Sequence, residues 1–233
     1  MSGSDGWLRF ARLVGRLKTL RRQGWIDRGV EEPESVADHS FRLALLAWLL
    51  ARERPDLDAE RAAILALAHD VAEAIAGDRT PFDGALRAGA ERERLFRQRP
   101  IYDPESEARK TAAERAALAE LTALLPEPAG AALVAAWEEY EAGQTAEARF
   151  VRQLDKLETV LQAFEYHARQ PGLIIDSFVL GALDEVVDPV LRSLLERAIA
   201  EAHWHPPAVT ELADGSREGT GGFDGLGARS RAD

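Results

Sequence analysis

The chain has 233 residues, 46% of them hydrophobic and 30% charged, a balance that is typical of a soluble globular protein. This length suffices for one domain, or two small ones, with a buried core. Because the formal net charge is −11, a long polyanion such as duplex DNA would be repelled, and nucleic acid polymers are not expected partners. The absence of cysteine excludes disulfides and thiolate metal sites.

No segment resembles a secretory signal or a membrane span. Residues 1–10 lack a basic stretch that is followed by an apolar run. The longest apolar runs, residues 43–51 and 62–68, fall far short of the roughly 20 residues that a spanning helix needs. We therefore expect a cytoplasmic protein that has no membrane partner.

Helical periodicity covers the first half of the chain almost throughout. A helix is predicted over residues 6–21, followed by a connector over 22–34. The next helix starts at Ser35, which forms a capping-box pattern with Asp38, and runs to about residue 53. Asp58 can cap another helix that runs to about residue 76, where Gly77 fits the C-terminal stop. Residues 78–103 are expected to be irregular or to form short helices.

The second half of the chain continues this pattern. Helices are predicted over residues 104–125, 128–142 and 145–170, and a last one runs from the cap at Asp188 to about residue 202, with Pro189 in its first turn. Strand-like alternation and internal repeats do not stand out, so the predicted fold class is all-α, a single-domain helical bundle. The domain is expected to span residues 1–205. Residues 206–233, which are rich in Gly, Ser and Arg from Asp214 onward, are expected to be a disordered tail.

Acid and imidazole side chains at four separated places carry the strongest chemical signal. At about 100° per residue, His39 lies on the core face of its predicted helix. Taken singly, it is better explained as a hydrogen-bonded core histidine. Imidazole nitrogen and carboxylate oxygen together suit a divalent first-row metal, and such a metal can activate water near neutral pH. The pattern therefore indicates a metal-dependent hydrolase, with the candidate residues His39, His69, Asp70 and Asp155.

Further polar residues lie close to these positions in the sequence. Glu73 comes one predicted helical turn after His69, on a face of small residues where a carboxylate without a partner is costly. Asp78 directly follows Gly77 and, taken singly, would be a turn aspartate. A basic cluster near the N-terminus could bind a small phosphorylated substrate or form the solvated face of the first helix; it contains Arg9, Arg12, Arg16, Lys18, Arg21 and Arg22.

These motifs resemble those of the HD-domain phosphohydrolases. The longer matches point to the 5′-deoxynucleotidase branch, whose members act in nucleotide metabolism and dephosphorylate deoxyribonucleoside 5′-monophosphates. The resemblance spans about residues 8–170. Its matching stretches are Leu17-Lys18, Gly24-Trp25, Arg28, and residues 33–39, 69–73, 77–78, 81–83, 137–141 and 146–155.

The resemblance implies an HD-type helical fold around one divalent metal ion, which could be cobalt, manganese, iron or magnesium. Its implied ligands are His39, His69, Asp70 and Asp155. The implied role of Glu73 is to orient or deprotonate the attacking water, and Asp78 matches a second catalytic carboxylate. Because relatives generally dimerise, the resemblance also implies a homodimer.

The resemblance also suggests how a small nucleotide substrate would be bound. Arg22 matches a phosphate-binding arginine whose planar fork suits bidentate contacts, although Arg21 and Arg28 compete for this assignment. Trp25 would pack near the sugar and disfavour a 2′-hydroxyl.

Two alternatives stay open. An HD hydrolase could act on a triphosphate, an alarmone or a cyclic dinucleotide, but two-metal versions need extra histidine ligands. This chain has five histidines, of which two are well placed, and this favours a one-metal site. A non-catalytic nucleotide-sensing domain would keep the metal site, yet it has little need for both Glu73 and Asp78.

Overall fold

The computed structural model describes residues 3–207. This part is built of helices without a β-strand, which confirms the predicted all-α class; an isolated antiparallel bridge joins Arg21 to Ser35. Within these residues, we find no helix with the length and apolar character that crossing a membrane would require. The prediction of a disordered tail falls almost wholly on residues 208–233, which lie outside the described residues.

The described residues form twelve α-helices, and a short 3-10 helix, Gly15–Lys18, follows the first of them. The helices are α1 Gly3–Val14, α2 Gln23–Asp27, α3 Val36–Arg52, α4 Ala59–Ala68, α5 Glu73–Ala76, α6 Asp83–Arg87, α7 Arg92–Phe96, α8 Pro104–Thr122, α9 Glu127–Ala142, α10 Ala146–Arg169, α11 Asp176–Glu185 and α12 Pro189–Glu201.

The long helix α10 lies at the centre of the bundle. It packs against α3, α4, α9, α11 and α12, while α3 and α4 pack closely on each other. The main core contains fully buried leucines from these helices, namely Leu43, Leu65, Leu154, Leu157, Leu191 and Leu195. This packing holds α3, the end of α4 and α10 side by side, so residues far apart in sequence can share one site.

The predicted helix caps of α3, α4 and α12 are present. Ser35 Oγ accepts a hydrogen bond from Asp38 N at 3.1 Å, and Asp38 Oδ2 accepts one from Ser35 N at 2.9 Å, which completes the capping box of α3. Asp58 accepts from Arg61 N at 2.9 Å at the start of α4. Asp188 caps α12, and Pro189 occupies its first turn.

The helix predicted over residues 58–76 is interrupted after Ala68. The Ala66 carbonyl oxygen, which would accept from Asp70 N in a continuing helix, instead lies 2.7 Å from His69 Nδ1. Such a side chain-to-backbone bond competes with helical pairing. The chain then makes a tight turn, with Glu73 N donating to Asp70 O at 3.0 Å, before α5 begins. The turn therefore places His69 and Asp70 at the end of a helix.

Two other elements differ from the prediction. The first helix ends at Val14 rather than near residue 21, because Gly15 disfavours a continued α-helix and a 3-10 turn follows. The short helix α11 was not predicted. Its N-cap residue, Ile175, offers no capping side chain, and Gly181 lies inside the helix, so the usual sequence signals are missing.

Candidate metal centre and active site

The four predicted metal ligands converge from three parts of the bundle. His39 lies on α3, His69 and Asp70 follow α4, and Asp155 lies on α10. Ligand atoms of His39, His69 and Asp70 all lie within 4.8 Å of one another. His39 Nε2 is 3.1 Å from Asp155 Oδ1, and His69 Nε2 is 2.9 Å from Asp70 Oδ2. Two imidazoles and two carboxylates therefore lie close together.

Both histidine rings are oriented by contacts at their Nδ1 atoms. His39 Nδ1 lies 2.5 Å from Glu158 Oε2, and His69 Nδ1 lies 2.7 Å from the Ala66 carbonyl oxygen. Because each acceptor selects the tautomer with a proton on Nδ1, the Nε2 lone pair of each ring faces the cluster. Metal-binding histidines are held in this way.

The buried atoms of the cluster fit a divalent cation. His39 Nε2, His69 Nε2 and Asp155 Oδ1 are all buried and have no hydrogen-bond partner among the described residues. Burial of polar atoms without partners is costly unless something else satisfies them. Nitrogen and carboxylate oxygen are suitable ligands for a first-row metal ion, so the donor chemistry of the cluster fits such an ion.

The charges of the cluster also favour a cation. Burial and Arg22 lower the pKa of His39, but Glu158 and Asp155 outweigh them and raise it to about 10, so the surrounding carboxylates favour a positive charge at Nε2, which either a proton or a metal ion can supply. Burial raises the pKa of Asp155, yet the contact with His39 Nε2 at 3.1 Å and the charge of that ring hold the pKa well below its usual range. The site thus keeps its carboxylates ionised and stabilises positive charge between them.

Glu158 is a residue beside the metal cluster that the sequence interpretation did not single out. It is fully buried, and it contacts His39 Nδ1 through Oε2 while its Oε1 accepts from Arg42 Nε at 2.7 Å. Arg42 also donates to Gln162 and Glu165. The available signal was its spacing, since Glu158 lies three residues after Asp155 and therefore on the same helix face.

Glu73 lies beside the metal cluster at the first position of α5. It is 3% exposed, and its Oε2 has no hydrogen-bond partner within residues 3–207. Burial raises its pKa well above the usual value, and the charges of Asp70 and Asp78 add to this effect. A buried carboxyl group with an available oxygen and a raised pKa is suited to accept a proton near neutral pH.

Asp78 connects the cluster to the start of α2. It follows Gly77, whose φ of +76° is readily adopted by glycine. Its Oδ2 accepts from Gln23 N at 2.7 Å and lies 3.9 Å from Arg22 Nε. Asp78 therefore helps to fix the position of Arg22.

The three arginines considered for phosphate binding have different environments. Arg22 Nη1 donates to Asp70 Oδ2 at 3.1 Å, so its guanidinium contacts the cluster. Arg21 is exposed and donates to the Pro33 carbonyl oxygen at 3.0 Å. Arg28 donates to Gly24 O, Ile174 O and Ser177 Oγ. Of these three, Arg22 is the residue placed to meet a ligand at the cluster.

Trp25 is a buried residue in the wall of the cavity, and its ring is not exposed to solvent. Only 1% of it is exposed, and its Nε1 donates to Glu34 Oε1 at 2.9 Å. Its ring packs against Tyr166 and Phe178, with ring centroids 5.1 and 4.6 Å away. It nevertheless lines the same cavity as the cluster.

A cavity of about 710 Å³ opens beside the cluster. Volumes of about 300–1,000 Å³ are usual for small-molecule sites, so a nucleotide fits. The cavity combines carboxylates, basic side chains and aromatic edges; its lining includes Arg22, Trp25, Glu73, Asp78, Lys110 and Asp155.

Two similar curated proteins are both named 5′-deoxynucleotidase. Mouse 5′-deoxynucleotidase HDDC2 is 42% identical over 180 residues, which cover 76% of this chain and 79% of the mouse protein. The 5′-deoxynucleotidase YGK1 of Saccharomyces cerevisiae is 30% identical over 193 residues, 81% of each chain.

Solved structures give the same picture of the fold. A predicted metal-dependent phosphohydrolase from Magnetospirillum magnetotacticum is 29% identical with a TM-score of 0.62, covering 87% of this chain and 93% of that chain. A conserved hypothetical protein from Pyrococcus furiosus is 30% identical with a TM-score of 0.59, covering 84% and 98%. The family described as HD domain matches residues 14–179, and with this match the chain belongs to the HD-domain family.

Proposed function

We propose that the chain is a metal-dependent phosphomonoesterase that hydrolyses deoxyribonucleoside 5′-monophosphates to deoxynucleosides and phosphate. The observation that carries this proposal is a cluster of two imidazoles and two carboxylates beside a nucleotide-sized cavity. Several ligand atoms of this cluster are buried without hydrogen-bond partners among the described residues. The substrate class is supported by the relatives named 5′-deoxynucleotidase.

One divalent ion would be held by His39, His69, Asp70 and Asp155, and we propose cobalt, manganese, iron or magnesium. When bound, such an ion supplies Lewis acidity toward a phosphoryl oxygen and lowers the pKa of water. The buried Glu158 would keep His39 in the required tautomer through its contact with Nδ1.

Glu73 would act as the general base. Its unpaired Oε2 can accept the proton of the water that attacks phosphorus. We assign Asp78 to the second catalytic carboxylate, which would assist water or the departing 5′-oxygen. Its contacts with Gln23 N and Arg22 would also keep the start of α2 in place.

Arg22 and Trp25 would position the substrate. The Arg22 guanidinium would bind the phosphate through paired N–H donors. Trp25, which Tyr166 and Phe178 hold rigidly, would present its edge near the sugar and leave little room for a 2′-hydroxyl.

We also propose that the chain is a cytoplasmic homodimer. Its support is an exposed apolar face on α3 and α4, which includes Phe41, Leu45, Trp48, Leu49, Ile64 and Leu67. Exposed apolar patches often mark interaction sites. Light scattering would give the mass of the particle in solution.

The test is phosphate release from a panel that pairs each deoxyribonucleoside monophosphate with its ribo counterpart, with and without added cobalt or manganese. We expect release from the deoxy members in the presence of metal. The Glu73→Gln variant should lose about 10²- to 10⁴-fold in kcat and still bind metal, because it lacks only the proton acceptor.

Absence of release from every monophosphate would overturn the proposal. Triphosphates and alarmones would then be assayed with the same protein. Full activity of the Glu73→Gln variant would instead remove Glu73 from its assigned role.

A further inference from the structure

Lysine is rare in this chain, and its placement is uneven. The chain has 29 basic residues, but only Lys18, Lys110 and Lys156 are lysines. Two of these three, Lys110 and Lys156, line the cavity beside the metal cluster. Lysine carries a compact charge with three rotatable donors, and phosphate is a common ligand for such a group.

Lys110 lies on α8, close to the acidic part of the cavity. Helix α8 packs against α5, which begins with Glu73. Burial lowers the pKa of Lys110, but Glu114, Glu73, Asp70 and Asp78 outweigh it and raise the pKa above its usual value. Lys110 therefore stays protonated near the site, with its side chain 35% exposed.

Lys110 also retains hydrogen-bonding capacity. Among the described residues, its recorded ion-pair partner is Glu114, with Nζ 3.6 Å from Oε1. That distance is too long for a good hydrogen bond, so its N–H groups remain available to a ligand.

Three other basic residues around the cavity are committed to protein groups, and Arg79, which also lines the cavity, is exposed to solvent. Arg28 donates to Gly24 O, Ile174 O and Ser177 Oγ. Arg152 Nη1 contacts the carbonyl oxygens of Tyr140 and Glu141. Lys156 donates to Tyr102 OH and pairs with Glu185. Their donors are therefore less available to a substrate.

The charge balance of the cavity favours a substrate-binding cation in addition to the metal ion and Arg22. A phosphate monoester carries about two negative charges near neutral pH. It would enter a cavity lined by Asp70, Glu73, Asp78 and Asp155, and Arg22 is already paired with Asp70. A second cation close to these carboxylates would reduce the repulsion.

We propose that Lys110 binds the substrate phosphate as a second cation beside Arg22. This inference rests on the proposed phosphatase function. Lys110 Nζ would donate to a phosphoryl oxygen and stabilise the charge that phosphate carries during hydrolysis.

The experiment measures binding of inorganic phosphate to the metal-loaded protein by calorimetry, together with KM for a deoxyribonucleoside monophosphate. In the Lys110→Gln variant we expect phosphate Kd and KM to rise about tenfold or more, because a charge-assisted hydrogen bond is lost. The matched control is Lys18→Gln, which removes the same charge. Lys18 belongs to the N-terminal basic cluster considered for phosphate, but the structure places it on the exposed side of the 3-10 helix, and it does not line the cavity. This control variant should leave both constants unchanged.

A double variant separates phosphate binding from neutralisation of Glu114. If Lys110 merely offsets that carboxylate, adding Glu114→Gln to Lys110→Gln should restore Kd and KM, which would overturn the proposal. Equal phosphate Kd and KM values for Lys110→Gln and Lys18→Gln would also overturn the proposed role of Lys110. Lys110→Met, which keeps the aliphatic stem, answers the same question if Lys110→Gln folds poorly.

The phosphate-binding measurement distinguishes a failure of the proposed phosphatase function from a failure of the proposed role of Lys110. If no monophosphate is hydrolysed but Lys110→Gln still weakens phosphate binding, the substrate assignment is wrong and the role of Lys110 stands. If the wild-type protein hydrolyses the deoxy substrates but Lys110→Gln behaves like Lys18→Gln, the substrate assignment stands and the proposed role of Lys110 is wrong.

Discussion

The individual residues of the site differ in how visible they are in the sequence. His39, His69, Asp70 and Asp155 could be selected because their motifs match a known pattern, and the structure brings them together. Glu158 and Lys110 could not be selected in this way. Their importance depends on which groups three-dimensional packing places beside them, and a helical glutamate or lysine is usually a solvated surface residue.

Glu158 provides a prediction at the scale of one residue. Replacing it with glutamine removes the negative charge that holds the His39 Nδ1 proton and leaves Arg42 with a weaker partner. We expect the metal affinity of Glu158→Gln to fall about 10- to 100-fold, as is usual when the partner of a ligating histidine is lost. Competition with a chromogenic chelator would measure it.

Glu165→Gln is the matched control for this prediction. Glu165 lies on the same helix and also accepts from Arg42, at 2.8 Å, but its side chain is 51% exposed. It does not contact the ligand set, so this variant should keep the wild-type affinity. Equal metal affinities for both variants would show that Glu158 does not support His39.

Among the helices, the sequence predicted most of the boundaries correctly where a cap was present. The capping box of α3, the aspartate caps of α4 and α12, and the stop at Gly77 all follow from local chemistry. The turn over residues 69–72 was not predicted, because it depends on the His69 ring bonding to a backbone oxygen. Helix α11 was missed because its ends lack capping side chains.

The cap of α3 gives a prediction at the scale of one helix. Ser35→Ala removes the acceptor of Asp38 N and one partner of the Asp38 carboxylate. We expect the free energy of unfolding to fall by about 1 kcal/mol, the usual cost of losing an N-cap side chain. Urea denaturation would measure it, with the midpoint and slope fitted together.

Ser193→Ala makes the same chemical change on an exposed position of α12. Its effect should stay within about 0.5 kcal/mol. If both variants unfold at the same urea concentration, the capping box does not stabilise α3.

For the whole molecule, the bundle and the site depend on each other. The ligand set links α3, the end of α4 and α10, the same elements that form much of the buried core. The cluster concentrates carboxylates at a buried point, and this arrangement is favourable when a cation balances their charge. The all-α class was readable from helical periodicity, whereas the cavity exists only through the packing of helices distant in sequence.

The most direct test of the account is a metal titration. Protein stripped with a chelator would be titrated with manganese or cobalt while phosphate release from a deoxyribonucleoside monophosphate is followed. We predict no release without metal, then a rise that reaches its plateau at about one equivalent per chain. Full activity of the stripped protein, or activity that does not respond to any divalent ion, would contradict the assignment of His39, His69, Asp70 and Asp155 as a catalytic metal centre.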